Sequence, residues 1–267
     1  MSFMPALVGE GYSGWQLLKK QMPTQKQAYT TTGAVKREAE YFRQKISAAT
    51  TAEDLIADRT LLKVALTAFG LEADLGARAF IGKILSDGVS DNSALANRLA
   101  DKSYYALSRG FALDGSQPPA TQDKAFVDQV IADFHTRSFE AAVGEVNNSY
   151  RLALNAEREL YNISRNSLLS EDAKWFTIMG SKPLRTVFEK AFGLSEGFGS
   201  LDIDRQLKAL KAKASAVLGN SSVSQFQTTE QLDRLTRHYL IKSAASTASN
   251  SPAQNALTLL SQPQTRG

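Results

Sequence analysis

The sequence predicts an all-α protein, an internally duplicated helical bundle whose two pseudo-repeats share a long central helix. Three observations lead to this prediction. Apolar residues recur every three to four positions through most of the chain. Helix-capping residues and glycines bound most of these periodic segments, and two similar segments lie on either side of the centre. The chain contains no convincing pair of alternating segments joined by a hairpin turn.

The central helix is predicted over Lys124–Ser164, which contains no proline and a single glycine, Gly144. Polar residues separate its apolar residues, so that one stripe faces a core and the other faces water. The apolar positions are Phe126, Val130, Phe134, Ala141, Val146, Tyr150, Leu152, Ala156, Leu160 and Ile163. Such a helix would span about 60 Å, and it would far exceed the usual ~11–12 residues. We therefore expect it to form the spine of the fold.

The segment before the spine divides into an arm and several helices. Residues 1–33 mix Gly, Pro, Thr and Gln with a few apolar side chains, and we predict a flexible N-terminal arm with a short helix around Gly14–Gln21. Thr51 and Asp54 have the spacing of a capping box, which predicts a helix over 52–69 that ends at Gly70. Two further helices are predicted over 34–47 and 73–87. A third starts at Asp91 or Ser93, and a fourth runs from Asp101 or Ser103 to Gly110. Residues 114–121 are predicted to form a loop.

Four more helices are predicted beyond the spine, each opened by a capping residue or an early proline. They run from Ser170 to Gly180, from Ser181 and Pro183 to Gly193, from Asp202 to Leu218, and from Thr228 with Gln231 to about Ala245. Residues 246–267 turn to Ser, Ala, Gln, Thr and Pro. This composition predicts a disordered tail.

The internal duplication rests on two segments with the same spacing of apolar residues. Residues 61–71, LLKVALTAFGL, align without gaps on residues 184–194, LRTVFEKAFGL, with six identical positions of eleven. In both copies, AFGL predicts a helix end at which Gly adopts a left-handed conformation and Leu packs back on the last turn. We predict repeat one over about 34–120 and repeat two over about 150–245, with the spine at 124–164 between them.

Composition excludes several classes of site and leaves the compartment open. The 267 residues suffice for a sizeable core, and the absence of cysteine rules out disulfides, thiol catalysis and thiolate metal sites. No apolar run approaches the ~18 residues that a membrane span needs. The N-terminus lacks a basic stretch followed by an apolar run. We expect a protein that is cytoplasmic or exported without a cleaved signal peptide.

The sequence assigns no catalytic residue, no metal ligand and no cofactor site. The chain has no GxGxxG or GxxxxGK[ST] loop for phosphate and no Glu-x-x-His pair for a di-metal site. Its two histidines, His135 and His238, have no partner placed near them by a sequence motif, and packing or surface positions are the usual roles of such residues. We therefore predict that the protein is not an enzyme and uses no cofactor.

The most basic stretch contains Arg205, Lys208, Lys211 and Lys213. The first three recur every three residues, which places them on one face of a helix. Such a face can meet an acidic partner, phosphate or a membrane surface, although a small basic face is more often simply solvated. These four residues are the candidate binding residues of the chain.

The order of the motifs resembles that of a protein family. Three motifs are similar to those of uncharacterised all-helical proteins of alphaproteobacteria that carry a domain-of-unknown-function label. They are LLKVALTAFGL after a capped acidic start, FEAAVGEVNNSYRLALNAEREL in the middle, and PLRTVFEKAFGL thereafter. GYSGWQLLKK followed by REAEYFRQKI resembles the start of that family. Members are often encoded among flagellar genes, so the resemblance implies a flagellar association. It carries over no catalytic or binding residue.

Two functions of different classes remain open. The first is a non-enzymatic structural or protein-interaction protein, either a flagellar assembly accessory or an exported flagellar component, with a protein as its partner. The second is a module that binds a small ligand or nucleic acid in a basic groove containing Arg205–Lys213. The net charge of +4 is small, and nucleic-acid binders usually carry a stronger, more clustered positive charge. The oligomeric state is not predicted.

Overall fold

The computed structural model of the protein describes residues 4–249. It confirms the all-α fold class, and those residues contain no β-strand. The α-helices are α1 Gly11–Thr30, α2 Gly33–Lys45, α3 Ala52–Ala57, α4 Arg59–Phe69, α5 Arg78–Asp87, α6 Leu95–Arg98, α7 Ser103–Phe111, α8 Lys124–Val146, α9 Asn148–Arg165, α10 Glu171–Gly180, α11 Lys182–Phe192, α12 Ile203–Leu218 and α13 Thr229–Ser249. Short 3₁₀ turns at 46–48, 72–74, 120–122, 196–200 and 223–227 connect some of them.

The helices form two compact units. The first contains residues 19–147 together with the stretch up to Ala6, and the second contains Leu7–Leu18 and the chain from Asn148 onward. The predicted division into two repeats joined by a spine remains a prediction, because similar capped segments in two units do not by themselves establish a duplication. The predicted tail over 246–267 lies outside the described residues, apart from the end of α13.

The core of the first unit is built around α4, which packs against α2 and α8. Most of α4 is buried, including Leu62, Val64 and Leu66, none of which is exposed to solvent. Phe42 of α2 and Phe134 of α8 belong to the same apolar cluster. The apolar spacing that predicted these three helices is therefore the spacing of a shared core.

The helix predicted over 52–69 is in fact two helices, and Asp58 separates them. The backbone of Asp58 is extended, with φ −92° and ψ 110°. Its carboxylate accepts hydrogen bonds from the backbone N–H groups of Thr60 and Leu61 at 2.8 and 3.0 Å. The expected capping box of Thr51 and Asp54 is present at the start of α3. Asp58 thus adds a second N-cap within what periodicity alone presents as one helix.

The predicted spine is likewise interrupted, which corrects the single helix over Lys124–Ser164. α8 ends at Val146 and α9 begins at Asn148, with Asn147 in an extended conformation (φ −148°, ψ 101°) between them. Asn147 donates its backbone N–H to the carbonyl of Val143 at 2.8 Å. Asparagine readily leaves helical geometry because its side chain competes for backbone hydrogen bonds. The boundary between the two units falls at this residue.

The predicted flexible arm over 1–33 is also corrected, because most of it forms α1. Trp15 is fully buried, and its ring lies 5.9 Å from that of Tyr150. Tyr12 donates to the carboxylate of Asp233 at 2.6 Å. The glycines and the internal Pro23 of this segment indicated irregular structure. Burial of the tryptophan and the hydrogen bonds near the start of the helix outweigh that local preference.

The second unit packs α9 against α11, α13 and the turn at 223–227. An aromatic cluster forms its centre, where the ring of Phe188 lies 5.3 Å from Trp175 and 5.9 Å from Phe226, both nearly edge-to-face. All three side chains are fully buried. Trp175 donates its indole N–H to the carbonyl of Ser221 at 2.9 Å, so its burial leaves no donor unsatisfied.

Both AFGL segments end their helices as predicted. Gly70 has φ 76° and Gly193 has φ 62°, both in the left-handed region. The residue after each glycine bonds back to the last turn, Leu71 to the carbonyl of Leu66 at 2.8 Å and Leu194 to that of Glu189 at 2.9 Å. This is the Schellman arrangement, in which glycine avoids the steric cost that a Cβ would bring.

Replacement of Gly193 by alanine is expected to lower the free energy of unfolding by about 1–2 kcal/mol, because a residue with a Cβ strains the left-handed conformation. An added Cβ at this position meets no atom within 4 Å, so the loss would report backbone strain alone. Urea unfolding followed by circular dichroism measures it. Gly199→Ala is the matched control, since its Cβ also meets open space and its φ is not positive. Equal stability of the two variants would contradict the cap assignment.

Candidate interaction surface

The candidate surface is formed by α12, whose orientation is fixed by its buried side. Leu210, Ala214 and Leu218 recur every four residues and are at most 1% exposed. The helix starts at Asp202, whose carboxylate accepts from the backbone N–H of Asp204 at 3.0 Å. It ends at Gly219 with φ 83°. With one side in the core and both ends capped, the opposite side of α12 is held facing solvent.

The four predicted binding residues divide into three exposed cations and one that is engaged. Arg205, Lys208 and Lys213 are exposed and form no ion pair within the described part of the chain. Lys211 is half-buried and forms an ion pair with Asp172 of α10. Of the three residues predicted to share a helix face, Lys211 is the one that is engaged within the chain, and a binding role for the four residues stays a prediction. Lys211 lies on the flank of α12 that adjoins α10, where a carboxylate neutralises it.

Exposed apolar side chains accompany these cations. Leu201 and Ile203, at the start of α12, are 43% and 56% exposed. Phe176 of α10 is 38% exposed, and it lies one helical turn after Asp172, which places the two residues on the same side of α10. Aromatic residues, Met and Arg are enriched in protein–protein interfaces, whereas Lys is depleted there.

Charge is distributed unequally between the two units. Residues 4–6 and 19–147 contain 16 basic and 16 acidic residues, whereas residues 7–18 and 148–249 contain 14 basic and 11 acidic, a net charge of +3. The exposed cations of α12 therefore lie on the unit that carries the positive charge. The rest of that unit has no excess of acidic residues that would offset the positive potential of these cations.

A polar cluster of the second unit surrounds Glu171. Its Oε2 accepts from Ser222 Oγ at 2.7 Å and from the backbone N–H of Val223 at 2.6 Å. Its Oε1 accepts from Ser224 Oγ at 2.5 Å and from Lys174 Nζ at 3.1 Å. Burial alone would raise the pKa of Glu171, but these hydrogen bonds outweigh it and lower the pKa to about 2.

This cluster resembles a serine–lysine pair of the kind that hydrolases use, because Lys174 Nζ donates to Ser224 Oγ at 2.7 Å. A catalytic lysine must be neutral to accept the serine proton. Here the buried ammonium donates to the carboxylate of Glu171 and to the backbone carbonyl of Ser164, at 3.1 Å each. These contacts join the end of α9 to the start of α10.

The two histidines are placed among cations. Burial lowers the pKa of His135, and the nearby charges of Lys26 and Arg43 lower it further. Burial also lowers the pKa of His238, with three cations of α13 as further causes. Both imidazoles are therefore held toward the neutral form at neutral pH. Within residues 4–249, no group of three or more His, Asp or Glu side chains could hold a metal ion.

The first unit has an open cleft of about 410 Å³ between the end of α5 and the start of α6. Its charges are largely matched, since Lys83 pairs with Asp87 at 2.9 Å and Asp91 accepts the backbone N–H of Ser93 at 2.8 Å. Arg98 also lines the cleft. Mixed charges on an open, mainly polar surface do not define a ligand.

A family comparison identifies the relatives of the chain. The model of a family described as "Protein of unknown function (DUF1217)" matches residues 68–232, which is more than half of the sequence. The chain belongs to this family. The matched region extends from the end of α4 into the start of α13, and it contains the Glu171 cluster and the whole of α12.

One solved structure shares the fold over most of the chain. It is an X-ray crystal structure of a protein from Agrobacterium tumefaciens, with 26% sequence identity and a TM-score of 0.73, and the match covers 91% of this chain and 98% of that one. A search of curated proteins gave no match. No helix within the described ranges is both long and apolar enough to cross a bilayer.

Sequence reasoning identified the cations of α12 but missed two features of their surroundings. The pairing of Lys211 with Asp172 joins residues 39 positions apart, and no local pattern indicates it. The exposure of Ile203 is at odds with the spacing of the apolar positions, which places it on the buried side of α12 with Leu210 and Ala214. Ile203 is nevertheless 56% exposed, in the first turn of α12.

Proposed function

We propose that this protein is a non-enzymatic protein-interaction protein that serves flagellar assembly. The observation that carries the interaction is the outer side of α12, a helix capped at both ends on which Arg205, Lys208 and Lys213 are exposed. The flagellar association is supported by the resemblance to alphaproteobacterial proteins encoded among flagellar genes.

The contacts of the Glu171 cluster support the non-enzymatic part of this proposal. Glu171, Lys174 and Ser224 are bound to one another and to neighbouring backbone groups. A general base or nucleophile needs a free acceptor or a reachable hydroxyl directed at a substrate. An interaction protein requires only a stable surface, and the α12 region provides one.

Deletion of the gene from its native bacterium is expected to reduce swimming and to leave fewer or shorter flagellar filaments, because an assembly step would lack its accessory. Swimming in soft agar and electron microscopy of whole cells measure these effects. A plasmid copy of the intact gene should restore both. Normal swimming and normal filaments in the deletion strain would contradict the flagellar part of the proposal.

A further inference from the structure

We infer that residues 252–261, which follow the described part of the chain, form a short helix that docks against the exposed apolar side of α13. The docking site is defined here as Ile241, Ala244 and Ala245, and it is called the α13 patch below. This docking goes beyond the proposed function and is independent of it. It also departs from the disordered tail that composition predicts, because it follows from the order of the residues.

The α13 patch lies on the side of α13 that faces away from the core of the second unit. Leu232 and Tyr239 are buried. Ile241 follows Leu232 by nine residues, which is about two and a half helical turns and therefore the opposite side. Its side chain is 51% exposed. Ala244 and Ala245 are also exposed, and their spacing of three and four residues places them beside Ile241.

The outer side of α13 changes from charged to apolar at Ile241. Arg234 and Arg237 precede it on this side and are exposed. Residues 243–249 carry no charge at all, although α13 continues to Ser249. A helix side that faces water is normally polar. The apolar end of α13 is therefore typical of a helix that another segment covers.

The residues after α13 carry the signals of a second helix. Ser251 and Gln254 have the spacing of a capping box. Pro252 would occupy the first helical position, where proline is favoured. Pro263 limits the helix at its other end, because proline interrupts helical hydrogen bonding. These signals predict a helix over residues 252–261.

The predicted helix has one apolar face. Its apolar residues recur at i, i+3, i+4 and i+7, and Leu259 lies outside this stripe. Residues 252–261 contain no charged side chain, so docking on an uncharged surface leaves no ion without a partner. The residues of the stripe are Ala253, Ala256, Leu257 and Leu260.

A short connection between the two helices determines which positions meet. α13 ends at Ser249, so residues 250–251 would form the connection, within the about 2–5 residues of a helical hairpin. Ile241 precedes the first residue of this connection by nine positions, and Leu260 follows its last residue by nine. Because both helices rise equally per residue, Ile241 and Leu260 would lie at the same level.

The side chains that meet in this register are complementary in size. Ala244 precedes the connection by six positions and Leu257 follows it by six, which places a leucine over the two alanines of the α13 patch. Facing helices interdigitate when large side chains meet small ones. A segment of the same chain also reaches the patch at a high effective concentration. The register and the connection thus favour residues 252–261 over a separate molecule.

Two introduced cysteines test the docking in the full chain, which has no cysteine of its own. The pair Ile241→Cys, Leu260→Cys is expected to form an internal disulfide about tenfold faster or more than the pair Ile241→Cys, Thr258→Cys. Thr258 lies on the opposite side of the predicted helix, so docking holds its Cα beyond the ~7 Å that a disulfide permits. Without docking, the two positions are almost equally far along the chain, and both pairs would close at similar rates. Non-reducing electrophoresis and intact mass measure the closure.

Hydrogen exchange followed by mass spectrometry tests the same contact without cysteines. Isolated helices shorter than about 12–15 residues are marginal in water, so slow exchange across residues 252–261 requires docking. Leu260→Asp and Ile241→Asp should each accelerate this exchange by about tenfold or more. The control Thr258→Asp introduces the same charge on the outer side and should leave the exchange unchanged. Ile241→Asp keeps the sequence of the segment intact, and its effect therefore reports the docking site alone.

Three results would overturn the docking. The first is equal closure of the two cysteine pairs, and the second is fast exchange of residues 252–261 in the parent protein. The third is a covalent dimer in place of the internal disulfide, which would assign the α13 patch to a second copy of the chain. All are measured on the purified protein, so none of them bears on the flagellar proposal.

Discussion

Replacement of Glu171 by glutamine is expected to lower the free energy of unfolding by about 1–3 kcal/mol at pH 7, because it leaves hydrogen-bond donors unsatisfied and removes the charge that faces Lys174. The Lys174 side chain is 6% exposed, and an ammonium at such a depth loses much of its hydration. Ser222, Ser224 and the backbone of Val223 all donate to the same carboxylate. Denaturant unfolding of the full chain measures the loss.

The contribution of Glu171 should also depend on pH. Its pKa is about 2 in the folded protein, below the ordinary value of 4.5 for a glutamate side chain. A carboxyl whose pKa is lowered on folding stabilises the protein above its unfolded pKa and loses that effect as the pH falls through its folded pKa. Stability should therefore decrease between about pH 4.5 and pH 2. Because the Glu171 side chain is 38% exposed, we expect a decrease of about 1–2 kcal/mol.

Asp172→Asn is the matched control, since it removes the same charge one residue away. Asp172 pairs with Lys211, but its side chain is 53% exposed, and exposed pairs contribute about 0–1 kcal/mol. The pH dependence of stability between pH 4.5 and pH 2 should be flatter in Glu171→Gln than in the parent, and Asp172→Asn should lose less stability at pH 7 than Glu171→Gln. If the two variants lost equal stability, the polar cluster would not be the structural junction inferred here.

Helix ends were predictable where the decisive interaction is local. Thr51 and Asp54 are three residues apart and form the predicted capping box. Ser170 accepts the backbone N–H of Ala173 at 3.2 Å, as expected for the N-cap of α10. Gly193 adopts the left-handed conformation that its place after AF requires. Each of these interactions involves neighbouring residues only, so a single sequence is sufficient to predict it.

The interruption at Asn147 was less accessible, although a signal was present. Residues 147–149 read Asn-Asn-Ser, three residue types that favour helix caps over helix interiors. The apolar spacing continues on both sides of this point, and periodicity alone therefore predicts one uninterrupted helix. The local run of cap-forming residues, and not the longer apolar spacing, indicates where the helix is interrupted.

The polar contacts of the candidate surface and its support could not be predicted from one sequence. Glu171 meets Ser222 and Ser224 across 51 and 53 residues. Such pairs depend on how helices pack, and no spacing rule connects them. The exposure of Arg205 and Lys208 was predictable from helical periodicity, because the leucines of α12 define its opposite side. What remained unpredictable was which of the four cations the fold would neutralise.

Replacement of Gly14 by alanine is expected to destabilise the protein by about 1–3 kcal/mol through overpacking. Gly14 lies within α1, where an alanine would otherwise stabilise the helix by about 0.5–1 kcal/mol relative to glycine. A Cβ at this position would come within 2.3 Å of the Tyr150 hydroxyl and within 2.6 Å of the backbone of Gly9. Helix propensity and packing thus predict opposite signs, and thermal or denaturant unfolding decides between them.

Tyr150→Phe separates the two sources of the clash. Alone, it should cost about 1 kcal/mol, since the Tyr150 hydroxyl donates to the carbonyl of Gly11 at 2.8 Å. Combined with Gly14→Ala, it removes the atom nearest to the new methyl group while the contact with the rigid Gly9 backbone remains. The double variant should therefore lose less than the sum of the single losses, without returning to the stability of Tyr150→Phe. A stabilising Gly14→Ala would show that α1 does not pack this closely on α9, and the burial of Trp15 would then need another explanation.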